Sequence, residues 1–452
     1  MKKSLLAIAA MTAFAGAAQA QSSVTVYGIL DVGFAGSNYS GTSVTANVSQ
    51  NGGAASAGTA TTKQVAAGFT QSAESTSRIG FKGAEDLGGG LSALFTVEMG
   101  LSPMQQTVSS SASTALAFDR QAFVGLKKAG LGTVSIGNQY SPIFDVQSIT
   151  DAAGNNNMVG NAVYSGSLQS STGTFNSAQG PFAGAVASTG LNVDTGAYVT
   201  RYSNSLKFQS ERMAGVVGEL FYAQSNQSNT NTQAANAAFT TGAGGVNNST
   251  AFGANADYVW KKLQVVAAYQ QSRNIDQNFG SVVNNAATST IVIANGTAGG
   301  TSGFGVNMGD QQTYAAATYD FGILKAYYQY VTRKVVSVQD SSYFSKRSAN
   351  QIGVKSQLTP VISAFATMGL GNAAYFGNGL AGSTQGANFR TFQVGADYFL
   401  SKRTNLYAIV GAVNQSSNGS NNAANTTVLT QSANGGVGVS ASNYAVGIRH
   451  TF

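Results

Sequence analysis

The chain closes on Tyr444-Ala445-Val446-Gly447-Ile448-Arg449-His450-Thr451-Phe452, a strict alternation that stops on an aromatic residue. Successive strand side chains point to opposite faces, so Tyr444, Val446, Ile448, His450 and Phe452 share one face. Ala445, Gly447, Arg449 and Thr451 share the other. Terminal backbone in water tends to fray, and a soluble domain seldom commits its last residues to such a strand. A closed barrel in a bilayer requires one. Lipid lies outside, water lies inside, and the last strand must satisfy the backbone groups of the first.

The same alternation recurs from Ser23 onward. A first strand is expected near 24–35, followed by a Gly/Ser/Thr/Ala segment read as a loop to about Glu74. Pairs of strands then fall near 76–85 and 91–100, 118–128 and 132–140, 198–209 and 215–225, and 251–260 and 263–273. Further pairs fall near 311–321 and 323–334, 348–358 and 361–371, and 389–399 and 405–415, before the closing strand at 438–452. Tight links such as Glu85-Asp86-Leu87-Gly88-Gly89-Gly90 join the members of each pair. The count is sixteen strands, seven tight turns and eight longer loops. The expected fold is all-β: a 16-stranded antiparallel transmembrane β-barrel with short periplasmic turns and long extracellular loops.

Periodicity alone leaves open which face is inside. Near 91–99, Leu91, Ala93, Phe95, Val97 and Met99 oppose Ser92, Thr96 and Glu98. An export signal, the terminal aromatic and the scarcity of charge decide for the membrane version: charged residues are 9% of the chain, against roughly 25% in soluble domains. No stretch offers the ~18 consecutive apolar residues of a membrane helix. Tyr258, Trp260, Tyr398 and Tyr407 suit an aromatic girdle at the headgroups. Lys2, Lys3, the apolar run Leu5 to Ala15 and Ala18-Gln19-Ala20 read as a signal peptide over residues 1–20, cleaved after Ala20. The mature barrel, 21–452, then carries 22 basic against 17 acidic side chains, or +5. With no cysteine, disulfides and thiolate metal sites are excluded. The positive charge is dispersed, which gives nucleic-acid binding no support.

Several blocks carry a family resemblance. They are Val24-Thr25-Val26-Tyr27-Gly28-Ile29-Leu30-Asp31, Ser77-Arg78-Ile79-Gly80-Phe81-Lys82-Gly83, Asp119-Arg120-Gln121-Ala122-Phe123-Val124-Gly125-Leu126 and Gly395-Ala396-Asp397-Tyr398-Phe399-Leu400. With the closing strand, they resemble the trimeric general porins of the Gram-negative outer membrane, in their beta-proteobacterial branch. The resemblance implies three copies per unit, outer-membrane lipid around them, and passive diffusion of small hydrophilic solutes and ions through each barrel. It implies that Tyr444, Val446, Ile448, His450 and Phe452 form the signal read by the barrel assembly machinery. It also implies a third loop folded inward opposite a wall of arginines. One departure stands out: where relatives often carry a Gly-Arg pair near the end of the fifth strand, this chain has Gly137-Asn138.

The third loop runs from Ser141 to about Gly196 and holds Asp145, Asp151 and Asp194 but no Lys or Arg. These are the expected constriction acids. Tyr164, Phe175 and Phe182 are expected to anchor that loop to the wall. Parity places Arg78 and Lys82 in the lumen, opposite Ile79 and Phe81. It places Arg201 and Lys207 there too, opposite Tyr202, Leu206 and Phe208. Arg120 takes the position of a wall arginine in the relatives. Asp31, Glu98 and Arg449 also face the lumen, the last near the periplasmic mouth. The competing reading is that these arginines only pair with barrel carboxylates and stiffen the wall.

No cofactor or metal is expected, and the single His450 gives hydrolase chemistry no base near a nucleophile. The expected function is a passive, weakly anion-preferring porin. The alternatives are a substrate-selective channel on the same barrel and an exported adhesin. An adhesin solenoid would show a fixed repeat, which this sequence lacks.

Overall fold

The computed structural model describes residues 23–46, 57–104, 107–108, 120–164, 197–229, 245–276, 306–338, 344–376, 385–417 and 437–452. The expected signal peptide, Asp194, Phe175 and Phe182 lie outside these residues. In chain order the strands are β1 (Ser23–Ala46), β2 (Ala57–Gln71), β3 (Arg78–Gly88), β4 (Leu91–Ser102), β5 (Thr107–Val108), β6 (Gln121–Lys128), β7 (Gly132–Tyr140), β8 (Arg201–Ser210) and β9 (Val216–Asn229). They continue as β10 (Gly245–Trp260), β11 (Leu263–Asp276), β12 (Val306–Asp320), β13 (Lys325–Ser337), β14 (Phe344–Thr359), β15 (Ile362–Phe376), β16 (Gln385–Phe399), β17 (Thr404–Ser417) and β18 (Val437–Thr451). One short helix, α1 (Pro142–Ile149), follows β7.

β2 and β3 pair with successive parts of β1 and together make one stave of the wall. The two-residue β5 only flanks the end of β4, which pairs directly with β6. The result is a closed antiparallel barrel of sixteen staves. Closure runs through β1 and β18, in register from Ile29↔Thr451 to Gly41↔Val439. Gly28 and Phe452 then exchange both backbone hydrogen bonds, at 3.0 and 3.1 Å. A sheet with no free seam leaves no backbone group to be buried unpaired in hydrocarbon.

The outside is apolar. Val124, Ile136 and Leu206 stand side by side on β6, β7 and β8 and are 64%, 60% and 45% exposed. The buried faces are polar: Gln270, Gln312 and Gln393 are wholly buried on β11, β12 and β16. That inversion is what a water-filled barrel in lipid demands. Tyr258, Trp260 and Tyr398 lie on the exposed face, but Tyr407 does not belong to the girdle. It shares its face with the buried Asn405 and Ile409 and points inward.

Several strands run further than alternation suggests. β10 begins at Gly245, and the segment read as a first loop is largely a ribbon with β1 and β2 paired from Val32↔Gln71 to Ala46↔Ala57. Beyond the lipid both faces of a strand meet water, so backbone pairing continues with no hydrophobic pattern to announce it.

Candidate functional site

The polypeptide after β7 enters the barrel instead of leaving it. Ser141 caps α1, its hydroxyl accepting from Phe144 N at 3.2 Å, and Pro142 opens the first turn. Ile143, Val146, Val159, Ala162 and Val163 then pack against Val266, Tyr314, Val331, Phe389 and Val413 of the inner wall. Buried glutamines hold the loop backbone. Gln270 accepts from Ile143 N at 3.2 Å, Gln312 from Val199 N at 2.7 Å and Gln351 from Ala162 N at 2.7 Å. Gln393 Nε2 donates to Met158 O and Val159 O, both at 2.9 Å. An amide side chain both donates and accepts, so it can satisfy loop backbone without burying charge. Gly411 completes the seat, because a Cβ there would collide with Val159 O. The loop thus lines the arc from β10 to β17 as a belt.

Arginines gather on the opposite arc, around Tyr140. Arg120 Nε donates to Glu98 Oε1 at 2.6 Å, and its Nη2 donates to Tyr140 OH at 2.8 Å. The Arg201 guanidinium lies over the Tyr140 ring at 5.2 Å. Tyr164, in the third loop, lies in the field of the group. Burial pushes its phenol above the ordinary pKa, and the charges of Arg120, Arg201 and Arg78 oppose that shift. Tyr164 also packs against the loop's buried cluster. Among the described residues, Arg78 and Arg201 are paired with no carboxylate. Lys82 stands apart, exposed, with its ammonium 5.3 Å from the Tyr27 ring centre. Asn138 donates to the Arg120 carbonyl at 3.4 Å, so the position where relatives often carry arginine adjoins this group.

The acids sit elsewhere. Asp145, on α1, pairs with Lys207, which also lies 3.5 Å from the buried Glu219. Lys207, part-buried between these two carboxylates, therefore anchors the loop and is not a solvated charge of the pore wall. Asp151 does not oppose the arginines either. It is enclosed within the loop, accepting from Ala153 N, Asn155 N and Asn161 Nδ2 at 3.2, 3.0 and 2.8 Å. Burial raises its pKa, against the pull of those hydrogen bonds. Parity also fails at Tyr202. A register shift between Gly137 and Gln139, with Asn204 at φ 52°, turns Tyr202 inward onto Phe221.

Asp31 is wholly buried and accepts from Tyr407 OH at 2.6 Å. Arg449 reaches Glu74 at 2.9 Å and Asn405 at 3.0 Å. On the outer face of β18, His450 is exposed and hydrogen-bonded to Thr404 at 2.9 Å, and Tyr444, Val446, Ile448 and Phe452 are 47%, 50%, 40% and 39% exposed. Sequence reasoning overlooked the glutamine belt, and also the inward pair Arg333–Asp310 at 2.6 Å. The available signal was a glutamine at an inward position on strand after strand.

The sequence model of the Gram-negative porin family matches residues 7–419. An outer membrane porin protein of Bordetella pertussis is 36% identical over 139 residues, 31% of this chain and 34% of that protein. Outer membrane porin protein 32 of Delftia acidovorans is 41% identical over 102 residues, 22% of each chain. These matches span about a third or less of those relatives' lengths. Among solved structures, an anion-selective porin from Comamonas acidovorans superposes with a TM-score of 0.58 at 18% identity, over 96% of this chain and 100% of that one. A trimer form of OmpT from Vibrio cholerae gives 0.53 at 13% identity, over 95% and 99%. These two show a shared fold. The family model covers nearly the whole barrel, and the chain accordingly belongs to the Gram-negative porin family, whose place is the outer membrane.

Proposed function

We propose that the protein is a passive diffusion channel for small hydrophilic solutes and ions, with a weak preference for anions. One observation carries the reading: Arg78, Arg120 and Arg201 gather around Tyr140 and Tyr164 with Glu98 as the only carboxylate paired to them among the described residues. Fixed charge beside a narrow aqueous path with low-dielectric walls raises the local concentration of the opposite ion. The Comamonas porin of the same fold is described as anion-selective, in keeping with the positive sign of this group. Chemistry on substrate has no support, since the one histidine is exposed on the outer face.

Three copies form the working unit in this proposal. Supporting it are the trimer form of the Vibrio OmpT and the outer surface of the shortest staves of the wall, β6 to β8, with 8 to 10 residues each. That surface presents Val124, Leu126, Val134, Ile136 and Leu206. The remaining proposals are cleavage after Ala20 and recognition of the outward face of β18 by the assembly machinery. The deciding measurement is the reversal potential of purified protein in a planar bilayer under a salt gradient. A potential of the sign set by anions is expected, and one set by cations would overturn the preference.

A further inference from the structure

Six residues, 72–77, leave the wall between β2 and β3. Above them Gln71 pairs with Val32, and below them Arg78 pairs with Ile29, so six residues stand opposite only Leu30 and Asp31. Ser72 turns the chain with φ 61°, a conformation non-glycine residues rarely adopt. The excursion goes inward, for Ala73 is wholly buried in one cluster with Ala153 and Met158 of the third loop and Tyr407 and Ile409 of β17.

Asp31 holds the turn. Its Oδ2 accepts from Glu74 N and Ser75 N at 2.9 and 2.6 Å, and its Oδ1 accepts from Tyr407 OH. Its own backbone bonds Ser72 N and the Ser77 hydroxyl. Charge-assisted bonds to two successive N–H groups define a tight turn more strongly than neutral ones would. The side chain of Glu74 is tied to Arg449 and Asn405.

The excursion in turn holds the third loop. Asn157 N donates to Ala73 O at 3.0 Å, and its side-chain amide donates to Ser72 O at 2.7 Å and Thr76 Oγ1 at 3.1 Å. Asn157 lies far along the belt from its origin at Ser141, next to the Gln393 attachment. We propose that the 72–77 excursion is a second constriction element: a buttress that fixes the third loop at Asn157, with Asp31 and Asn157 as the positioning residues that set channel width. The inference rests on the channel reading above. The glutamines hold the belt against β11 to β16, and the buttress adds a hold from beyond the barrel closure, so that the two together define one aperture.

Asn157→Ala removes the side-chain attachment to the buttress and touches no barrel strand pairing. The expected result is a rise in single-channel conductance with a noisier open level, while the heat-modifiable gel migration of the closed barrel stays as in the wild type. Asp31→Asn should show the same change by loosening the turn itself. Conductance and noise equal to wild type in Asn157→Ala would overturn the buttress, whatever becomes of the Asp31 variant. A wild-type protein that forms no conducting pore would instead overturn the channel reading, and the buttress with it.

Discussion

Arg120→Ala and Glu98→Gln should move ion preference in opposite directions. The two side chains are 4% and 6% exposed and meet at 2.6 Å. Three guanidiniums and one carboxylate give the group a net +2; losing Arg120 leaves +1, neutralising Glu98 leaves +3, and the double variant returns to +2. At roughly 8 Å from a permeating ion in water, one unit charge is worth about 0.5 kcal/mol. That changes each ion's local concentration by a factor of about two and a half, and the anion-to-cation ratio by about six, with salt screening reducing both. Arg120→Ala should also destabilise the barrel, since removing one partner of a buried pair costs about 3–5 kcal/mol. The double variant should recover part of that loss. Reversal potentials across a salt gradient, together with the temperature at which the protein loses its folded gel migration, report both effects. Shifts of the same sign in the two single variants would refute the assignment of these charges to the permeation path.

Gly411→Val places side-chain atoms where Val159 O now lies, so the belt must lift and single-channel conductance should rise. Unchanged conductance would show that the loop does not depend on this seat. Asp151 supplies a pH effect. Burial raises its folded-state pKa, so the folded loop holds the proton more tightly than the unfolded chain. Its contribution to stability is complete below the unfolded value of about 4 and is lost as pH rises through the folded value. Asp151→Asn should therefore flatten the fall in unfolding temperature between acid and neutral pH, and an unaltered pH profile would contradict this.

The wall itself was legible because its constraint is local. A strand between lipid and water must alternate, so Leu91 to Met99 and Tyr444 to Phe452 declare their faces one residue at a time. The girdle tyrosines show where this stops working. Tyr398 and Tyr407 look equivalent as aromatic residues near strand ends, yet only Tyr398 is outward; Tyr407 has Asp31 as its partner across the barrel closure. Tyr202 was misplaced because a bulge changes parity without any hydrophobic mark.

By itself, the sequence determined a sixteen-stave membrane barrel, its closing strand and the presence of arginines on its inner face. Periodicity and composition suffice for these, since each strand meets the same two solvents. Tertiary structure alone decided what the lumen charges do. Asp145, Asp151 and Lys207 had the residue types of a charged constriction, but the folded loop engages them in its own attachments. The physical reason is distance along the chain: Gln393 and Met158, or Asn157 and Ala73, meet only after closure brings remote staves around one loop. No local pattern records which of many inward polar side chains will find such partners, and those partners determine which charges remain to face the passing ion.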